Sequence, residues 1–200
     1  GAMRTDPLAE PVVEPIDVIV PARAMVELAR IGAEEESPVL ITVTPDQNRV
    51  IFELTNVVLV SQLIPGTFPD YEQIIPQEWK THTVVSTVDF LKACRTAQIF
   101  AREGANITQL HVHPGSDLEP GRLVVSATSA ETGDDVTELE ATVEGEPIEI
   151  AFNVRYLLDV LSVIDTPEVA LDTISPSRPG VIRPVGEEGF VHVVMPMHLG

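Results

Sequence analysis

Three times along this chain of 200 residues, a short apolar run leads into a stretch whose apolar positions recur every three or four residues. The first run is Val18-Ile19-Val20, followed by a stretch from Pro21 to about Ile31. The second is residues 82–86, followed by Thr87 to about Arg102. The third is residues 148–152, followed by Asn153 to about Ile164. A period near 3.6 marks a helix with one buried face. Met25, Leu28 and Ala29 form that face in the first stretch. Phe90, Leu91, Cys94, Ala97 and Ala101 form it in the second, and Val154, Leu157, Leu158 and Leu161 in the third. Pro21 suits a first helical turn, where a missing N–H costs nothing, and Thr87 and Asn153 are N-cap types.

Three strand-like stretches follow each predicted helix. They are residues 39–44, 50–54 and 57–63; then 108–113, 123–127 and 136–143; then 168–174, 180–185 and 190–195. Turn-forming clusters such as Pro45-Asp46-Gln47-Asn48 and Thr132-Gly133-Asp134-Asp135 separate them. The pattern predicts a β-α-β-β-β unit repeated three times at about 65 residues, longer than a solenoid repeat. Antiparallel strands with helices on one face place the chain in the α+β class. Prolines mark the joints. Residues 1–17 read as an extended lead-in, and Gly1-Ala2-Met3 as a cloning scar outside the fold. Residues 18–68 form the first unit, 69–80 a connector, and 81–200 the other two units.

Composition narrows the chemistry. Twelve basic against 31 acidic residues give a net charge of −19, which alone argues against nucleic-acid binding. The distribution changes that picture. Arg23, Arg30, Lys92, Arg95, Arg102 and Arg155, half of all the basic residues, lie in the predicted helices, while the acids dominate strands and loops. One cysteine, Cys94, excludes a disulfide framework and fits a cytoplasmic protein. No apolar run reaches the roughly 20 residues that span a bilayer. No phosphate loop, dinucleotide turn or nucleophile elbow is present, so no enzyme and no cofactor is expected. His111 and His113 share a strand face, but no third ligand stands at diagnostic spacing, so no metal is expected either.

Four motifs sharpen the reading. They are Val18-Ile19-Val20-Pro21, Phe68-Pro69-Asp70-Tyr71 with Ile74-Ile75-Pro76, the run from Phe152-Asn153 through Tyr156-Leu157-Leu158-Asp159-Val160-Leu161, and Val193-Val194-Met195-Pro196-Met197-His198-Leu199. In this order they resemble the beta subunit of bacterial DNA polymerase III, the sliding clamp family. His198 stands where the family more often has Arg. The resemblance implies the sliding-clamp (DNA clamp) fold. It also implies a fragment, with residues 18–68 as half of the middle clamp domain and 81–200 as the complete C-terminal domain.

The family is a non-catalytic processivity factor that encircles duplex DNA, and the resemblance implies three surfaces here. The six helix cations would face DNA. Ile99 and Phe100, with Glu131, Asp134, Asp135 and Glu138, would form a ring interface, making the full-length protein a ring-shaped homo-oligomer. Pro69, Ile74, Asn153, Tyr156, Val193, Val194, Met195, Pro196 and Met197 would line a hydrophobic pocket. That pocket would take short linear motifs from the polymerase alpha subunit, the clamp loader and repair proteins. Its upstream wall precedes this chain, so the pocket is expected to be incomplete, and Gln73 stands where many clamps have Arg. The isolated chain is expected to keep mainly peptide binding, with negligible DNA affinity. The alternative is an acidic protein-interaction module with no DNA role. The half domain at 18–68 is expected to pair with a copy of itself.

Overall fold

The computed structural model describes residues 1–8, 11–102, 105–129 and 133–198. The chain divides into two compact units. The first comprises residues 1–7 and 71–200, the second residues 8–70.

The second unit holds helix α1 (Ala22–Ile31) and an antiparallel sheet of β2 (Leu40–Val43), β3 (Arg49–Glu53) and β4 (Val58–Gln62). Val50, Phe52 and Leu63 form its small core, with Leu28, Val43 and Leu59 packed around them. Pro21 takes the N-cap position of α1. The predicted buried face of this helix is corrected by one position. Ala24 is its buried residue, while Met25 and Ala29 are exposed, because so small a core covers only a narrow stripe. The strand expected at 18–20 is reduced to a single antiparallel bridge between Ile19 and Ile64.

The first unit holds β1 (Ala2–Arg4), β5 (Thr81–Ser86), α2 (Thr87–Ala101), β6 (Ile107–His113), β7 (Arg122–Ser129), β8 (Gly133–Gly145), β9 (Ile148–Asn153), α3 (Val154–Leu161), β10 (Glu168–Thr173), β11 (Gly180–Pro184) and β12 (Phe190–Val194). The strand order is β1-β12-β11-β10-β5-β8-β7-β6-β9, with every pair antiparallel. The long β8 joins the two parts of this sheet. Its residues 133–140 pair with β7 and its residues 141–145 with β5. Gly145 then turns the chain toward β9 at φ +102°, so close to the Lys80 carbonyl that a Cβ has no room.

α2 packs beside α3 and across β5 to β8, and α3 against β9 and β12. The core between helices and strands is built from Phe90, Cys94 and Ala97 of α2, Val154, Leu157 and Leu161 of α3, and Leu110, Leu123, Ile150, Phe152 and Ile182 of the strands. Burial raises the Cys94 thiol well above its usual range and keeps it protonated. Two buried threonines are satisfied by main chain: Thr81 donates to the Glu146 carbonyl at 2.7 Å and Thr108 to that of Ser126 at 2.9 Å. On β5, β10 and β11, Asp172 is held by His82 at 2.5 Å and Arg183 at 2.6 Å, with Trp79 against the His82 ring.

Two further expectations are corrected. The N-cap of α2 is Ser86, whose Oγ accepts from the Asp89 N–H at 3.3 Å, while the Thr87 hydroxyl is buried with no partner among the described residues. Ala2 and Met3, read as part of a scar, form β1 together with Arg4 on the edge of β12. Thr5 donates to the Gly189 carbonyl at 2.7 Å and so extends that pairing.

Candidate functional site

The C-terminal segment leaves β12 and turns along the outer edge of β9. There the Met197 N–H donates to the Ala151 carbonyl at 2.8 Å. Met197 and His198 together with Glu149, Ile150, Ala151, Pro176 and Ser177 surround a hollow of about 340 Å³ whose walls are mainly apolar. β9 supplies one wall through its pairing with β6, and the loop between β10 and β11 supplies the other. Glu149 also faces His111 at 3.7 Å. Glu149, Ile150, Ala151, Pro176 and Ser177 were not read from the sequence as site residues. Only tertiary pairing of the tail with β9 brings them to Met197, and no local pattern announces it.

The other predicted pocket residues fall into four groups. Met195 (59% exposed) and Tyr156 (54% exposed) present large apolar surfaces to solvent, and Val193, Pro196 and Ile74 are half-buried or exposed. Asn153 caps α3, its Oδ1 accepting from the Arg155 N–H at 3.0 Å, which confirms its helix-start role. Val194 is corrected: it is a core residue, sealed from solvent with Ile182 and Leu171, because the alternation along β12 turns it inward. Pro69 is exposed and belongs to the second unit. Of the nine, only Met197 lines the hollow.

Among the basic residues, Lys92 and Arg95 lie one turn apart on the solvent face of α2. Arg102 caps that helix, and Arg155 sits in the first turn of α3. These four and Arg23 are exposed, and none makes an ion pair among the described residues. Arg30 differs: Glu27 binds it through two contacts of 2.5 and 2.9 Å, so its charge is locally spent.

The residues expected at a ring interface divide as well. Ile99 projects from α2 and is 61% exposed, whereas Phe100 leans onto the core. Asp134 and Glu138 are exposed on β8, and Glu138 lies 3.8 Å from Arg122. Asp135 is turned inward, with a carboxylate oxygen that is buried and has no partner among the described residues. Burial raises its pKa above the usual carboxylate range. Glu131 lies outside the described residues. Among these residues, 133–140 of β8 pair only with β7 and so leave one strand edge open.

Helices layered on one face of antiparallel strands, in repeated β-α-β-β-β units, define a clamp-type α+β protein. The sequence matches the family described as DNA polymerase III beta subunit, C-terminal domain, over residues 72–198, and the central domain of the same subunit over residues 2–70. The chain belongs to the DNA polymerase III beta subunit family. The chain is 33% identical over 198 residues to the beta sliding clamp of Bacillus subtilis, covering 98% of this chain and 50% of that protein. It is 30% identical over 189 residues to the Staphylococcus aureus beta sliding clamp, covering 94% and 48%. The crystal structure of the Bacillus subtilis clamp superposes with a TM-score of 0.90 at 31% identity, over 100% of this chain and 51% of that one. A Pseudomonas aeruginosa sliding clamp bound to griselimycin superposes at 0.88, with 28% identity over 99% and 52%. The chain thus spans about half the length of these relatives. No helix of the described residues is long and apolar enough to cross a membrane.

Proposed function

We propose that this chain forms part of a sliding clamp, a processivity factor that tethers its partners to DNA without catalysing a reaction, and that it carries peptide-docking capacity. The observation that supports this best is the C-terminal segment: Met197 is fixed at the wall of an apolar hollow by its N–H bond to Ala151, while Met195 stands in solvent nearby in sequence. Methionines are polarisable and adaptable, which suits a groove that accepts several different peptides. A short linear motif with a Gln and apolar anchors would gain roughly 1.5–3 kcal/mol for each side chain it buries. Such motifs would come from the polymerase alpha subunit, the clamp loader and repair proteins, all partners of DNA in the cytoplasm.

The remaining surfaces fit the same reading in the intact ring. Lys92, Arg95, Arg102 and Arg155 would attract the phosphate backbone without reading sequence, which leaves the ring free to slide. The open edge of β8 and the exposed Ile99 would meet another subunit head to tail, a contact that closes a ring when its rotation closes. The net charge of −19 favours a second reading, an acidic module that binds proteins and not DNA. Titrating the chain against a fluorescent peptide bearing Gln and apolar anchors tests the docking claim common to both. Saturable binding is expected. Absence of binding at peptide concentrations that saturate a full-length clamp removes the proposal.

A further inference from the structure

Glu149 carries the only carboxylate among the described residues around the hollow beside β9. It stands near the start of that strand, and its side chain is 58% open to solvent. Strand register fixes its neighbour. His111 of β6 shares its row, with Nδ1 3.7 Å from the Glu149 Oε2. An N–H···O bond spans roughly 2.7–3.2 Å, so His111 leaves this carboxylate able to accept from another donor. Asp172 on the neighbouring strands gives the contrast: His82 at 2.5 Å and Arg183 at 2.6 Å already claim its two oxygens. Among the described residues, no Lys or Arg pairs with Glu149. Arg178, next after Ser177 in the wall loop, does not border the hollow.

A hollow of about 340 Å³ is at the small end of ligand sites. It takes one or two side chains of a linear peptide. The residues flanking that anchor then lie on the rim, where Glu149 stands.

The geometry points to a selection rule for this site: Glu149 makes the hollow prefer a linear peptide with Lys or Arg beside its apolar anchor over one with Asp or Glu there. The rule rests on the docking role proposed above and adds a charge requirement on the partner. A cation on the rim meets a carboxylate that no Lys or Arg of the described residues claims. An acidic residue there meets a like charge. Specificity is the difference between these two affinities, and the repulsive half contributes as much as the attractive one. Exposed pairs are weak and screened by salt. Glu149 therefore sorts peptides that bind through their apolar anchors and does not create binding by itself.

Three fluorescent peptides titrated against the whole chain test this. They share a Gln and the same apolar anchors, and differ only in the flanking residues, which are Ser, Lys or Glu. In low salt the Lys peptide should bind roughly fivefold more tightly than the Glu peptide, with the Ser peptide between them, and added salt should narrow the gap. Glu149→Gln should reduce the Lys-to-Glu affinity ratio to below about twofold. Taken between two peptides on one variant, that ratio is insensitive to a general change in the hollow. Glu168→Gln removes the same charge at the far end of β10 from the wall loop and should keep the ratio. Equal affinities for the Lys and Glu peptides, a ratio that survives Glu149→Gln, or a ratio lost equally in Glu168→Gln would each overturn the rule and leave the docking role standing. Failure of all three peptides to bind would remove the docking role, and the rule with it.

Discussion

His192 shares a register row with the buried Ile182 and lies half-buried on the inner side of β12. Burial, reinforced by the nearby chain amino group and opposed by Asp159, lowers its pKa from 6.5 to about 4. The folded state thus resists a proton that the unfolded state accepts. Its stability contribution is complete above about pH 6.5 and is lost as pH falls toward 4. Replacing His192 with Gln should flatten the melting temperature between those limits relative to the parent, measured by thermal denaturation at stepped pH. Asp135 works with the opposite sign. A carboxylate whose folded pKa is raised destabilises the fold at neutral pH, and that cost disappears as pH falls through the raised value. Asp135→Asn should therefore raise the melting temperature at pH 7 and make little difference in acid; a lower melting temperature at pH 7 would show that the buried oxygen has a partner. Neither environment could be read from sequence, because strand register decides which side of the sheet a residue faces.

At the level of the element, the caps give the clearest contrast. Ser86→Ala removes the acceptor for the Asp89 N–H and should cost about 1 kcal/mol in denaturant unfolding. Thr87→Val, which replaces a buried hydroxyl that has no partner among the described residues, should be neutral or stabilising. A loss at Thr87 matching that at Ser86 would restore Thr87 as the cap. Periodicity alone placed all three helices and the strands that follow them, since a 3.6-residue period and turn clusters are local signals. It failed where the signal is tertiary. The cap moved by one residue because β5 runs directly into α2. The buried face of α1 moved because its small core uses only Ala24. The inward turn of Val194 and the meeting of Met197 with Pro176 and Ser177 depend on pairing between distant segments. Motif resemblance found the tail, but geometry divided it into core and rim.

For the molecule as a whole, charge sets the limits. The exposed cations of α2 and α3 form only a local attraction within a net charge of −19. A mobility-shift titration with linear duplex should therefore show no complex at moderate salt, and tight, salt-sensitive binding would contradict this. The central claim is that the tail and the hollow beside β9 dock linear peptides. The most direct test is the peptide titration repeated on Met197→Ala and Met195→Ala, with Val163→Ala as an exposed control. Each tail substitution should weaken binding by roughly tenfold, the loss of about 1.4 kcal/mol of apolar contact, and the control should not. Unchanged affinity in both tail variants would contradict the assignment of the site.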